Sequence, residues 1–94
     1  MAKRYDNKKH FLVIQMSWRE YVAISDTFGF CDCCATQNFD EDGYYVAVVD
    51  SWYCKTCFDA YYDSATHYTV DSLKERKNFN AVVEKLKDLG TWEQ

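Results

Sequence analysis

Four cysteines of this chain form two C-x-x-C pairs, Cys31 with Cys34 and Cys54 with Cys57, and nineteen residues separate the pairs. Two residues between cysteines allow both sulfurs to face one ion, and two such pairs complete a tetrahedral shell. Thiolates favour Zn²⁺ over Mg²⁺ or Ca²⁺, although spacing alone does not distinguish zinc from iron. Because protein ligands fill all four positions, we predict one structural Zn²⁺ rather than a catalytic one.

A fifth cysteine, Cys33, lies inside the first pair and could replace a neighbour as a ligand. We assign Cys31 and Cys34 because two intervening residues are the usual spacing of a metal-binding knuckle. The two histidines, His10 and His67, are spare candidates. A single histidine is more often a surface or core residue than a ligand, so neither is included in the predicted site.

The elements that must position these cysteines follow from hydrophobic periodicity and capping residues. Capping boxes at Ser17 with Glu20 and at Ser72 with Glu75 predict two helix starts, and Gly90 predicts a helix end. The predicted elements are a strand over 10–16, helices over 18–27, 55–66 and 73–89, and a hairpin with strands at 44–49 and 52–53. Residues 1–9 are basic and predicted to be flexible, the last helix has a predicted weak point at 78–80, and Trp92 is predicted to anchor the tail.

The order of a knuckle, a hairpin and a second pair at a helix start resembles the treble-clef zinc-finger group, including LIM-type modules. Residues 31–34, 44–53 and 54–58 carry the resemblance, which covers about 29–66. It implies a metal that holds the hairpin against a helix N-terminus, where the helix dipole favours thiolates. No second zinc module follows, as one often does in LIM proteins. A zinc ribbon, with the second pair in a hairpin, is the alternative.

These features predict one α+β domain over residues 1–94. Its centre is a small zinc-stapled, treble-clef-like β-hairpin plus helix, flanked by an N-terminal strand and helix and by a C-terminal helix within 72–90. A chain of 94 residues is too short for two hydrophobic cores, and 18% aromatic residues are too many for a disordered chain.

Charge is unevenly distributed, because residues 10–73 carry two cations against ten acids in a chain of net charge −4. An acidic surface repels nucleic-acid phosphates and attracts basic protein surfaces. We therefore expect a non-enzymatic adaptor or regulator that binds a protein partner with a basic surface, such as an inhibitor of a nucleic-acid enzyme. The protein-binding residues are predicted to be Tyr44, Tyr45, Trp52, Tyr53, Asp40 and Asp42. Packing of these aromatic residues in the core is the alternative.

A nucleic-acid-binding zinc finger is the rival function, and it would use the basic residues of both ends of the chain. These are Lys3, Arg4, Lys8, Lys9, Lys74, Arg76, Lys77, Lys85 and Lys87. Redox catalysis is a weaker rival: a C-x-x-C at a helix start activates a thiol, but thioredoxin-like sites also use a cis-proline, and this chain has no proline. The sequence shows no phosphate loop or catalytic triad, so no small-molecule substrate is predicted.

Location is inferred from the apolar segments and the cysteines. The apolar run over 11–14 breaks at Gln15, with no cleavage site after it. No run approaches the roughly 20 apolar residues of a membrane span. Paired cysteines in a reducing compartment are typically metal ligands. We therefore expect no membrane contact and a cytoplasmic location.

Overall fold

The structure, a computed structural model, describes residues 2–25, 29–37 and 40–93. Over these residues the fold is α+β, with a four-stranded antiparallel sheet and three α-helices. The strands lie side by side in chain order, and they are β1 Lys3–Arg4, β2 Val13–Ser17, β3 Asp42–Val46 and β4 Ser51–Tyr53. The helices are α1 Trp18–Ser25, α2 Lys55–Ser64 and α3 Ser72–Leu89.

Both faces of the sheet are covered, because successive residues of a strand point to opposite sides. On one face, α1 and α3 pack over a cluster that includes Ile14, Met16, Tyr45 and Trp52. On the other face, Phe58 of α2 packs over Val13, Tyr44 and Val46. The central strands are therefore buried on both sides. None of the helices within the described ranges has the length and apolar character needed to cross a bilayer.

The start of α1 confirms the capping box predicted at Ser17. The Ser17 hydroxyl accepts the N–H of Glu20 at 3.2 Å, and the Glu20 carboxylate accepts the N–H of Ser17 at 3.0 Å. The second carboxylate oxygen of Glu20 accepts the N–H of Ala2 at 3.0 Å. The buried carboxylate of Glu20 thus caps the start of α1 and also binds Ala2.

Residues 2–9 differ from the flexible segment that their composition predicted. Ala2 is fully buried, and Lys3–Arg4 form the edge strand β1. The Lys9 ammonium donates to the carbonyl oxygens of Tyr62 and Ala65 and lies 4.8 Å from the centre of the Tyr62 ring. A cation at a helix C-terminus compensates the partial negative charge of its free carbonyls. Lys9 therefore fastens the end of α2 to the N-terminal segment.

Most predicted elements are present, with shifted ends. The first strand was predicted over 10–16 and lies at Val13–Ser17, while the predicted end of α1 at 26–27 falls outside the described residues. The strand predicted over 44–49 ends at Val46, because a 3₁₀ turn over Ala47–Val49 follows and Asp50 has φ 49°. The helix predicted over 55–66 ends at Ser64.

The last helix is continuous, so the predicted break at 78–80 is wrong. The side-chain amide of Asn78 donates to the carbonyl of Ala47 at 2.8 Å, which gives this polar residue a partner in the contact between α3 and the 3₁₀ turn. Gly90 has φ 83° and donates its N–H to the last turn of α3, as predicted for a helix-ending glycine. Trp92 packs edge-on against Phe79, with ring centres 6.1 Å apart, which confirms the predicted tail anchor.

The capping box predicted at Ser72 and Glu75 is wrong. Glu75 is buried, and its carboxylate accepts the N–H of Leu12 at 3.0 Å. Its other oxygen lies 2.8 Å from Nε2 of His67. Asp71, at the N-cap position, makes no side-chain capping hydrogen bond. The carboxylate of Glu75 therefore binds residues outside the helix instead of capping the start of α3.

Close packing at Gly43 generates the first prediction. A Cβ at Gly43 would lie 2.3 Å from Cζ2 of Trp52, whose indole is buried and stacked on Tyr21 at 4.2 Å. Gly43→Ala must displace this ring, so we expect it to lower the free energy of unfolding by about 3 kcal/mol, measured by urea denaturation. The near-UV circular dichroism of the stacked rings should change as well.

Gly90→Ala is the matched control. No atom lies within 4 Å of a Cβ added there, and its cost comes only from the positive φ, about 1 kcal/mol. A Gly43→Ala protein with an unchanged near-UV spectrum, and with a loss no larger than that of the Gly90→Ala protein, would contradict the packing of Trp52 against Gly43.

The carboxylate of Glu20 generates a prediction about pH. Burial acts to raise the pKa of Glu20, but hydrogen bonds from the N–H of Ser17 and from the side chains of Thr91 and Ser17, together with the positive N-terminus, outweigh it, so the pKa lies below the ordinary value of 4.5. Its stabilising contribution is therefore present above pH about 4.5 and is lost as the pH falls through the lowered pKa.

Glu20→Gln should remove this contribution, since an amide offers one acceptor oxygen and no charge. We expect a loss of about 1–2 kcal/mol at pH 7 in urea denaturation. The difference between the two proteins should shrink as the pH is lowered from about 5 to about 3. A difference that is constant over this range would contradict the assigned role of the carboxylate.

Candidate metal centre

The four cysteines of the two C-x-x-C pairs come together beside the end of β4. The Sγ atoms of Cys31, Cys34, Cys54 and Cys57 all lie within 4.8 Å of one another. Those of Cys34 and Cys54 are 3.7 Å apart. A tetrahedral zinc site with Zn–S bonds of about 2.3 Å places its sulfurs about 3.8 Å apart. The cluster therefore has the donor set and the dimensions to hold one metal ion.

The first pair lies on a tight turn that is hydrogen-bonded to β4. The turn is closed by the N–H of Ala35, which donates to the carbonyl of Cys31 at 2.9 Å. Asp32 then makes two bonds to one residue: its N–H donates to the carbonyl of Trp52 at 2.8 Å, and its carboxylate accepts the N–H of Trp52 at 2.7 Å. These bonds fix the turn to the strand that leads into the second pair.

The second pair lies at the start of α2. Cys54 is the N-cap residue with an extended backbone, and Cys57 belongs to the first helical turn. The N–H of Phe58 donates to the carbonyl of Cys54 at 2.8 Å. The buried Phe58 ring packs α2 against the sheet. The sulfurs thus lie at the positive end of a helix, which favours thiolates. The zinc-ribbon alternative predicted a hairpin at this position.

The sulfurs are electrostatically unequal. The hydroxyl and N–H of Thr36 hydrogen-bond to the Cys34 sulfur and lower the pKa of this thiol to about 6. Cys34 and Cys54 hydrogen-bond to Cys57 and raise its pKa, while burial is the main cause that raises the pKa of Cys54. A second thiolate beside the first is disfavoured without a compensating charge. A divalent cation supplies that charge, and its binding would release the remaining protons.

The other candidate ligands lie outside this cluster. Cys33 is exposed; its N–H donates to Sγ of Cys31 at 3.4 Å, and its side chain lines an open groove beside Cys57. His10 is exposed on the surface. His67 is paired with Glu75 at 2.8 Å and packs against a phenylalanine. Within the part of the chain that the structure describes, the metal-ligand cluster thus contains cysteines alone.

The predicted protein-binding aromatic residues are mostly in the core, which corrects that part of the prediction. Tyr44, Tyr45 and Trp52 are 6%, 5% and 1% exposed. Both faces of the hairpin are covered, by α2 on one side and by α1 and α3 on the other, so the packing alternative holds for these three residues. Tyr53 is half-buried and stacks on Tyr61 at 5.6 Å. Asp40 and Asp42 are exposed.

Asp32 is the residue of this site that the spacing of cysteines does not reveal. It lies between the two cysteines of the first pair and connects their turn to Trp52. Aspartate often hydrogen-bonds to nearby backbone in turns, so a turn-favouring residue inside a C-x-x-C pair is a usable signal. The signal does not identify the partner, which lies twenty positions further along the chain.

Three comparisons with known proteins end in the same result. No protein-family model, no curated protein and no solved structure matches this chain. The candidate metal centre is therefore supported by geometry alone: four thiols lie close enough together to bind a common ion, on a turn bonded to β4 and on the helix start that follows β4.

Proposed function

We propose that this chain is a non-enzymatic zinc-binding protein in which one Zn²⁺ has a structural role. The observation that carries the proposal is the convergence of four sulfurs, from Cys31, Cys34, Cys54 and Cys57, within 4.8 Å. Four protein ligands leave no position for a reacting water, which distinguishes structural zinc sites from catalytic ones. The softness of thiolates favours zinc among common divalent cations.

The proposed arrangement is treble-clef-like, with one ion shared by the cysteine turn and by the N-terminus of α2. The hydrogen bonds of Asp32 to Trp52 already hold the turn against β4. The ion would add a direct link from that turn to α2. Zinc contributes about 10–16 kcal/mol of binding free energy in small zinc fingers, and in such proteins it is folding free energy.

We further propose an adaptor or regulator role, through an acidic surface that binds a basic protein partner. Asp40, Glu41 and Asp42 are exposed. Tyr44 pairs with Tyr53 across the hairpin, so the start of β3 lies at the same end of the sheet as Cys54 and the metal centre. With its aromatic neighbours buried, this surface would act mainly by charge, which gives rate and specificity more than affinity.

The sharpest form of this role is inhibition of a nucleic-acid enzyme by occupation of its cationic groove. The support is the acidic segment over residues 10–73, which carries ten acids and two cations. A mimic of phosphate charge needs exposed carboxylates held on a rigid frame. Asp42 meets this requirement, because it begins β3 and accepts a hydrogen bond from Gln15 at 2.9 Å.

Nucleic-acid binding through α3 is the second candidate, and it has one supporting observation. Five basic side chains of this helix are exposed: Lys74, Arg76, Lys77, Lys85 and Lys87. The N-terminal part of this candidate is weaker, since Lys9 already binds the carbonyl oxygens at the end of α2. Glu84 and Asp88 also lie exposed among the α3 cations, which reduces the field that a phosphate backbone would meet.

The metal proposal predicts that Cys57→Ser abolishes zinc binding and most of the tertiary structure. The measurement is native mass spectrometry with elemental analysis of protein purified under reducing conditions, before and after a chelator. We expect one zinc per chain in the wild type and unfolding on its removal, because a small core depends on the metal.

Cys33→Ser is the matched control, since it also removes a thiol from this region but not one of the four clustered sulfurs. It should retain one zinc and the wild-type melting temperature. A wild-type protein without metal would overturn the assignment. Loss of zinc from the Cys33→Ser protein, with zinc retained by the Cys57→Ser protein, would overturn it as well.

The two candidate partners predict opposite effects of charge changes. Asp40→Asn with Asp42→Asn should weaken the binding of a lysine- and arginine-rich peptide by about tenfold at low salt, with less effect at high salt. Lys74→Glu with Lys77→Glu should not weaken it. Fluorescence anisotropy of the labelled peptide and gel-shift titration of duplex DNA and RNA provide the two readouts. Peptide binding that does not weaken with salt would contradict the acidic-surface proposal, and a DNA or RNA shift that only the lysine changes remove would favour the second candidate.

A further inference from the structure

Three large apolar side chains are exposed close together where the chain enters α3. Tyr68, Val70 and Leu73 are 59%, 87% and 83% exposed, and we name them the 68–73 patch. Val70 lies in a 3₁₀ turn over Thr69–Asp71 and Leu73 in the first turn of α3, so the two are three positions apart on helical backbone and lie on one side. Clustered apolar residues in water mark interaction sites, whereas single ones do not.

The fold holds the patch in this position. The buried residues Glu75, Val83 and Leu86 fix the rotation of α3 against the sheet, which directs Leu73 to the opposite side. Glu75 also binds His67 at 2.8 Å, so the segment before the helix is attached at its other end. The N–H of Asp71 donates to the carbonyl of Tyr68 at 3.1 Å and closes the intervening turn. The patch is therefore presented on a fixed backbone.

The border of the patch is basic. Lys74, Arg76 and Lys77 are exposed on the first two turns of α3. Of the two acids in this stretch, Glu75 is buried and accepts a hydrogen bond from Leu12, and Asp71 is half-buried in the turn before the helix. In a chain of net charge −4, this apolar patch is thus adjacent to the densest group of cations outside the N-terminal segment.

We propose that the 68–73 patch docks an acidic amphipathic segment of a partner protein. Apolar side chains of that segment would cover Tyr68, Val70 and Leu73, and its carboxylates would lie beside Lys74 and Lys77. Apolar anchors surrounded by a polar rim are the usual anatomy of such interfaces. This surface goes beyond the acidic one of the proposed function, and together they would give an adaptor two interfaces of opposite charge.

Other occupants fit these observations less well. A symmetric contact with a second copy places the same patch on both chains, so the cations of each copy would meet like charges. An anionic bilayer would attract Lys74 and Lys77 but would be repelled by the acids of residues 10–73. A phosphate backbone would use the cations and leave Val70 and Leu73 without a partner.

The probe is a displayed library of random twelve-residue peptides, selected on the immobilised full chain. We expect the selected peptides to combine Asp or Glu with Leu, Ile or Phe. A synthesised representative should bind the wild type and lose at least about tenfold in affinity with Val70→Ser and Leu73→Ser. Lys74→Glu with Lys77→Glu should weaken the same peptide, and more strongly at low salt.

Leu89→Ser is the matched control, because Leu89 is 43% exposed at the far end of the same helix and lies outside the patch. This protein should bind the peptide as the wild type does. Thermal unfolding of each variant by circular dichroism verifies that the fold is intact, which we expect because the substituted side chains of the patch are largely in water. Selected peptides that are neutral or basic, or binding that survives the double serine substitution, would overturn the proposal.

Two further arms separate the other occupants. Co-sedimentation with phosphatidylserine–phosphatidylcholine vesicles tests a membrane, and sedimentation velocity of the free chain tests self-association. The proposal expects no vesicle binding and no dimer that depends on Val70 and Leu73. Vesicle binding that Val70→Ser with Leu73→Ser abolishes would overturn the proposal in favour of a membrane. A dimer that the same substitutions abolish would overturn it in favour of a second copy of the chain.

Discussion

The backbone and side chain of Trp52 connect the cysteine cluster to the hydrophobic core. Its N–H and carbonyl both bond to Asp32, which fixes the turn of the first cysteine pair. Its indole is buried, stacked on Tyr21 and in edge contact with Trp18. The second cysteine pair begins two residues later in the chain. The position of every sulfur therefore depends on how this one strand is held.

Repulsion between neighbouring thiolates is a second constraint on the cysteine cluster, in addition to the position of β4. Four thiols in close contact cannot all ionise without a cation, and the opposed pKa shifts of Cys34 and Cys57 express this conflict. The helix start at Cys54 reduces the conflict but supplies only about half an elementary charge. A divalent ion would compensate two of the four negative charges, and a soft cation would match the sulfur donors.

Local signals predicted the features that depend on neighbouring residues. The spacing of the cysteines identified the four clustered sulfurs, and Ser17 with Glu20 identified the start of α1. Features set by distant contacts were missed. The motif at Ser72 and Glu75 was overridden by a bond from Leu12, and the burial of Tyr44 depends on helices covering both faces of the sheet. The aromatic pairs of the hairpin do not show from the sequence whether one face of the sheet or both will be covered by helices.

The first and last described segments meet, and this has a topological consequence. Ala2 donates to the carbonyl of Thr91 at 2.9 Å, and Glu93 donates to the carbonyl of Ala2 at 2.7 Å. Residues 2 and 93 therefore lie side by side in the fold. Such a fold can be inserted into a surface loop of another protein without spreading the loop ends apart. The same closeness would allow the ends to be joined by a short linker and the chain to be reopened elsewhere, as a circular permutant.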